Sequence, residues 1–134
     1  MRSSKVVKKL LGLGNDVVVE DWELTEPKED RPDLVVWIRA KERRKGACGR
    51  CGATASWFDQ GGGERRWRHI DIGYATCNLI ALAPRVNCIE HGPTVAAVPW
   101  ARHDAAFTRD FDDLVVRDSI IGSKQAAADR YGIS

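Results

Sequence analysis

Apolar positions near the start of the chain change period twice. Val6, Val7, Leu10 and Leu11 recur at helical spacing and predict one short helix over Ser4–Leu13, with Ser3 or Ser4 as its cap and Gly12 and Gly14 as its stops. Val17–Leu24 is then rich in β-branched residues. Leu34–Lys41 alternates, with Val36, Ile38 and Ala40 on one side and Val35, Trp37 and Arg39 on the other. A polar stretch containing Pro27 and Pro32 separates the two, so the pattern predicts a β-hairpin.

The middle of the chain reads as short strands between glycine turns. Gly46–Gly52 is a tight turn, Ser56–Asp59 a short strand, and Gly61–Gly63 a flexible tip. Arg65–Ile72 alternates as a strand, and after a turn at Gly73 comes Thr76–Val86, the longest strand predicted. Cys88–Pro93 is a second tight turn, and Trp100–Phe107 reads as a linker. The period then becomes helical. Thr108 is a candidate N-cap, Phe111, Leu114, Val115 and Ile121 recur on one face, and Gly122 ends that helix. Ser123 caps a second helix, Lys124–Tyr131, and Gly132 ends it. Strands first and helices after them predict an α+β chain, and no internal repeat or low-complexity segment interrupts it.

Charge changes this picture only locally. The chain has 134 residues, enough for one domain or two very small ones, and its formal net charge of +2 is too small to argue for nucleic acid. The basic residues are nevertheless clustered. Arg39, Lys41, Arg43, Arg44, Lys45 and Arg50 crowd one stretch, and Arg65, Arg66 and Arg68 follow. The acids gather in 20–33 and 110–118. On one face the basic groups would make salt-dependent phosphate contacts; the alternative is an ordinary solvated surface. The N-terminus lacks the apolar region and cleavage site of a secretory signal, and no run reaches the length of a membrane span. The expected compartment is therefore the cytoplasm, where thiols stay reduced and paired cysteines hold metal more often than they form disulfides.

Four residues carry the strongest chemistry. Cys48-Gly-Arg-Cys51 is a CxxC knuckle and Cys88-Ile-Glu-His91 a CxxH knuckle, with 36 residues between them, room for one or two β-hairpins. Two intervening residues let both donors of a knuckle face one ion, and two thiolate-bearing knuckles suit the tetrahedral preference of Zn²⁺. Gly49, Gly52 and Gly92 leave space for backbone amides to approach the thiolates. A redox CxxC would need a strand-to-helix setting, which the sequence around Cys48 does not offer. Four ligands fill the shell and leave no position for water, so the expected ion is structural and not catalytic.

The remaining candidates read more plainly. Cys77 lies mid-strand as a small buried hydrophobe. His69 is expected to be an exposed or hydrogen-bonded strand residue, and His103 a solvated linker residue; either could contact phosphate. Trp57, Trp67 and Trp100 are expected to pack in the core or zinc region. The acids show no convergence, and neither a phosphate loop nor a Ser–His–Asp arrangement is evident, so no residue is assigned a catalytic role. Lys124–Tyr131 followed by Gly132, with Ala128 small enough for close packing, has the form of the first half of a helix-turn-helix; a capped terminal helix is the alternative.

Taken in order, several stretches resemble the N-terminal region of the ISL-three family of insertion-sequence transposases. They are the CxxC at Cys48 and Cys51, the strand Trp67-Arg-His-Ile-Asp71, the run Pro84-Arg-Val-Asn-Cys88 and the CxxH turn ending in Gly92. Val98-Pro-Trp-Ala101 before Thr108 and Phe111, and Ala127-Ala-Asp-Arg-Tyr-Gly-Ile-Ser134, complete the match, which runs from about Leu10 to the last residue. The resemblance implies a zinc-binding domain with Cys48, Cys51, Cys88 and His91 as ligands, then a helix-turn-helix, together binding the element's terminal repeats. It also implies an Asp-Asp-Glu catalytic domain after this region. The chain stops before the recognition helix and that domain, so the expectation is a non-enzymatic DNA-binding module.

The expected architecture is a small zinc-bound β-hairpin domain followed by a partial helix-turn-helix. The expected divisions are 1–45 (helix and hairpin), 46–100 (zinc-binding β domain) and 101–134 (linker and helices). The expected partner is double-stranded DNA, reached through Arg43, Arg44, Lys45, Arg50, Arg65, Arg66, Arg68 and Lys124. A homodimer is compatible with this reading, while a membrane or a small-molecule substrate is not. A zinc-stabilised protein-interaction module or a domesticated remnant is the rival reading, and it predicts no salt-sensitive DNA affinity.

Overall fold

The computed structural model describes residues 2–28, 30–41, 46–121 and 124–132, with the side chains of 2, 3, 121, 124, 125 and 127 also outside the description. The first helix, α1 (Arg2–Leu10), starts earlier than the cap pattern predicts: Ser3 and Ser4 lie inside it and do not cap it from outside. It turns Val7 and, just beyond its end, Leu11 into the core while Val6 and Leu10 stay exposed. Strands β1 (Val17–Thr25) and β2 (Asp33–Ala40) form the expected antiparallel hairpin, with a bulge between Val19 and Asp21. Strands β3 (Gly46–Ala47), β4 (Thr54–Asp59), β5 (Glu64–Ile72), β6 (Ala75–Leu82), β7 (Arg85–Cys88) and β8 (Gly92–Val95) follow, and then helices α2 (Arg109–Ile121) and α3 (Lys124–Tyr131). The α+β order is as expected.

Two four-stranded sheets share these strands. The first has the order β1-β2-β6-β5 and the second β3-β4-β7-β8. The single long strand expected over Thr76–Val86 is instead two strands in different sheets. The chain leaves the first sheet at Ala83 and Pro84, where proline has no N–H to give a ladder, and joins the second at Arg85. The first sheet therefore takes two strands from each side of the division expected at residue 45. Its central contact is the parallel pairing of β2 with β6, Val35 opposite Asn78 and Val36 opposite Leu79. Asp33 latches the start of that pair: its Oδ1 accepts hydrogen bonds from Thr76 Oγ1 and Asn78 Nδ2, each at 2.8 Å.

The core lies between the first sheet, α1 and the 98–101 segment. Val7, Leu11, Val17, Val36, Ile38, Leu79, Trp67 and Trp100 are buried together, and the two tryptophan rings meet edge-to-face at 5.4 Å. Cys77 is fully buried beside them, as expected, and burial pushes its thiol up to about 12. Trp57 departs from expectation. It projects from β4 at 63% exposure, so only two of the three tryptophans proposed for packing are packed.

Residues 100–107 are no linker. Trp100 and Ala101 are buried, and residues 106–108 hydrogen-bond to the outer edge of β5, Arg68 N–H to Ala106 O at 3.0 Å and Thr108 N–H to Arg68 O at 2.8 Å. Three polar groups tie this segment to both ends of the chain. His69 is 1% exposed. Its Nε2 lies 2.8 Å from Leu11 O, which can only accept, so Nε2 carries a proton. In the neutral ring its Nδ1, 2.8 Å from Thr108 Oγ1, accepts the hydroxyl proton, and that same oxygen accepts the Phe111 N–H at 3.2 Å. Thr108 is thus the N-cap expected for α2, held in place by a histidine from β5. Arg68 completes the tie, donating to Asp71 Oδ1 at 2.9 Å and Tyr131 O at 3.0 Å while its guanidinium lies 4.8 Å from the Phe111 ring centroid. Phe111 packs on Tyr131 of α3. Gly132 has φ of +68°, the left-handed geometry that ends a helix. The stop at Gly122 and the cap at Ser123 lie outside the described residues.

His69→Ala should cost about 2–4 kcal/mol in equilibrium unfolding, because it leaves the buried Leu11 carbonyl without its donor and the buried Thr108 hydroxyl proton without its acceptor. A variant as stable as the parent would show that the α1–β5–α2 tie is dispensable.

Candidate metal centre

Each knuckle is the turn of a short hairpin. Ala47 leads into Cys48, whose N–H donates to Ala53 O at 2.8 Å, and Gly52 N–H returns to Cys48 O at 2.7 Å before β4 begins. Strand β7 delivers Cys88, residues 89–91 turn, and β8 departs from Gly92, which sits opposite Cys88 in the ladder. Gly52 (φ +78°) and Gly92 (φ +69°) occupy matching places just after the last donor of each knuckle, where the chain reverses in a conformation costly for any other residue. Antiparallel pairing of β4 with β7, Ser56 opposite Asn87, sets the two hairpins side by side with both turns at one end. Further on, Gly49 N–H donates to Val95 O at 3.0 Å and Ala97 N–H to Ala47 O at 2.8 Å, so the outer strands of the sheet also meet.

This brings the four expected donors together. The ligand atoms of Cys48, Cys51, Cys88 and His91 all lie within 4.8 Å of one another. His91 Nδ1 is 3.7 Å from both Cys48 Sγ and Cys88 Sγ, and Cys51 Sγ is 3.7 Å from Cys88 Sγ. Sulfurs about 2.3 Å from a tetrahedral zinc would stand about 3.8 Å apart, so these separations suit that ion. Cys48 and Cys88 are buried, while Cys51 and His91 face outward.

Local electrostatics favour bound thiolates. Burial works to raise the Cys48 thiol, but the backbone N–H groups of Cys51 and Arg50 bring it below the usual thiol range. The N–H and side chain of His91, with the N–H of Glu90, lower Cys88. At Cys51 the Ala53 N–H acts in the same direction, but burial and the neighbouring Cys88 and Cys48 sulfurs outweigh it and the thiol is raised. Three clustered sulfurs resist ionising together without a cation among them. A divalent ion removes that conflict.

One neighbour of the site was not legible beforehand. His103 is exposed, as expected of a solvated residue, but its ring also lies against the first knuckle. A Cβ on Gly49 would stand 2.5 Å from His103 Nδ1 and 2.6 Å from Val95 O, so no larger residue fits there. No local sequence pattern joins residue 103 to residue 49; only the buried 98–101 segment brings them together.

The basic residues are placed unequally. Arg50 is exposed on the first knuckle, and Arg66 is exposed on β5 with Asp33 3.5 Å away. Arg65 is half-buried, donating to Ala105 O at 2.7 Å with its guanidinium 5.2 Å from the Trp67 ring centroid. Arg68 is committed to the α2–α3 contacts described above. Arg43, Arg44 and Lys45 lie outside the described residues, as does the side chain of Lys124. No helix among the described residues is long and apolar enough to cross a membrane.

Residues 44–91 match the family described as the zinc-finger of transposase IS204/IS1001/IS1096/IS1165. Over 135 aligned positions the chain is 44% identical to the transposase for insertion sequence element IS1557 from two Mycobacterium tuberculosis strains, CDC 1551 / Oshkosh and ATCC 25618 / H37Rv. All of this chain is covered, and it spans 30% of the length of those relatives. No solved structure matches significantly. The resemblance read from the sequence therefore holds, and the cofactor of the ribbon is zinc.

The protein should carry one zinc per chain, and chelation should remove most of its resistance to heat. Cys48→Ala should lose the ion and the stability together, whereas Cys77→Ala should keep a full equivalent of zinc. Metal analysis beside a thermal melt checks both; a zinc-loaded Cys48→Ala protein with the parent melting temperature would refute the assignment.

Proposed function

We propose that this chain, which carries the zinc ribbon of an ISL-three-type transposase, is a DNA-binding module that recognises the terminal repeats of an insertion sequence. The observation that carries the reading is the match of the ribbon to that zinc-finger family, joined to similarity along the whole of this chain to 30% of the length of proteins named as transposases. Cys48, Cys51, Cys88 and His91 would hold the ion, whose role is to fix two hairpins and the sheet they form. With four protein ligands it offers no open position for water, so it shapes the domain and performs no chemistry.

The proposed DNA contacts divide by what each side chain is free to do. Arg50 and Arg66, with Arg43, Arg44, Lys45 and Lys124, would meet phosphates and set register. Arg68 would chiefly brace the surface those groups occupy, while Arg65, held by Ala105 O and Trp67, would present its remaining N–H donors to phosphate. Helix α3 would be the first helix of a helix-turn-helix, and base reading would fall to the helix that follows it in such a motif. Strand transfer itself is proposed for the longer protein that the relatives represent and not for these residues. The division into 1–45, 46–100 and 101–134 stands as a proposal of functional segments, and the cytoplasm is the proposed compartment.

Fluorescence anisotropy with a labelled duplex tests this reading. Affinity should fall steeply with salt, and the triple variant Arg43→Ala, Arg44→Ala, Lys45→Ala should bind less tightly with a shallower salt slope and an unaltered melt. Absence of salt-dependent binding by the parent protein would overturn the proposal.

A further inference from the structure

Between the zinc ribbon and the 98–109 segment lies a cleft of about 60 Å³, open to solvent past Arg102 and Asp104. Its walls include Gly49 of the first knuckle, Arg65 of β5, Arg102, His103, Asp104 and Arg109, with uncharged residues of β5 and the 95–101 stretch completing them. A water needs roughly 10–15 Å³ on this measure, so the cleft has room for the four oxygens of one phosphate group.

Its charge is one-sided. Three arginines and a histidine face a single carboxylate, Asp104, which lies 3.2 Å from His103 Nε2. Arg102 is held by Asp112 and Asp113, each at 3.2 Å, which keeps it beside the cleft and leaves further N–H donors on its guanidinium. Among the described residues neither Arg65 nor Arg109 has a carboxylate partner within 4.0 Å. Arg65 is already aimed by its bond to Ala105 O and its stacking on Trp67, so little side-chain freedom remains to be lost on binding. Asp104 has φ of +59°, a strained backbone state for a non-glycine residue, and it lies at the turn that presents His103 and Arg102.

We propose that this cleft is a phosphate-binding site, built from Arg65, Arg102, His103 and Arg109, which seats one backbone phosphate of bound DNA. The inference rests on the DNA-binding reading for the source of the phosphate; the chemistry would serve free phosphate equally. The cleft also adjoins the metal site. Gly49 stands between two zinc donors and against His103, so a phosphate seated there touches the knuckle through one residue.

Phosphate contacts carry no sequence information, so a short duplex of arbitrary sequence suffices as one probe. The other is inorganic phosphate, followed through the His103 ring resonances by NMR of the zinc-loaded protein. In the double variant Arg102→Gln, Arg109→Gln, the salt slope of duplex binding should shrink by about one or two. Affinity should drop by roughly tenfold or more near 0.1 M salt, with zinc content and melt unchanged. Inorganic phosphate should shift His103 saturably in the parent and not in Arg109→Gln. If the parent binds duplex and the double variant keeps its slope and affinity, the cleft assignment fails while the DNA-binding reading survives. If the parent ignores duplex but phosphate still moves His103 in an Arg109-dependent way, the site stands for free phosphate and the DNA-binding reading falls. No response to either probe overturns both.

Discussion

One ion must gather donors from two turns that are 36 residues apart, and the second sheet is arranged to satisfy that demand. Each turn closes a hairpin too short to stand alone, β3 having two residues and β8 four. Pairing of β4 with β7 aligns the hairpins, but it buries little: Ala55, Val86, Cys48 and Cys88 are the buried residues it offers. A sheet with so small an apolar interior depends on its metal for free energy that larger domains take from packing.

The first sheet is stabilised differently, and β5 links the two systems. Trp67 enters the hydrophobic core against Trp100, His69 spans from the end of α1 to the cap of α2, and Arg68 receives α3. Consecutive residues of one strand thus reach the core, the first helix and the last. The proposed phosphate cleft lies where these arrangements meet, its walls drawn from the zinc knuckle, β5 and the approach to α2. Its arginines come from parts of the sequence 44 residues apart.

What could be read directly from the sequence followed from local rules. The hairpin of β1 and β2, the cap at Thr108, the buried Cys77 and both knuckles each depend on residues within a few positions of one another, so period and spacing revealed them. The parallel pairing of β2 with β6 has no such signature. The exchange of sheets at Pro84 was hidden because the apolar run continues through it; only the missing N–H marked the break. Trp100–Phe107 looked like a linker because its hydrogen bonds run to a strand more than thirty residues earlier. Trp57 misled in the opposite sense, since it projects into solvent from β4, whose sheet has only a small buried interior.

The nesting of the strands has a kinetic consequence. Strands β5 and β6 form a local hairpin that lies wholly between the two knuckles in sequence. Once formed, it removes about half of the intervening chain from the loop that zinc must close, a saving of roughly 0.6 kcal/mol for each halving of loop length. The parallel β2–β6 pair, by contrast, encloses the first knuckle within its own connection. Metal capture and completion of the first sheet therefore close overlapping loops, so that each shortens the chain the other must span.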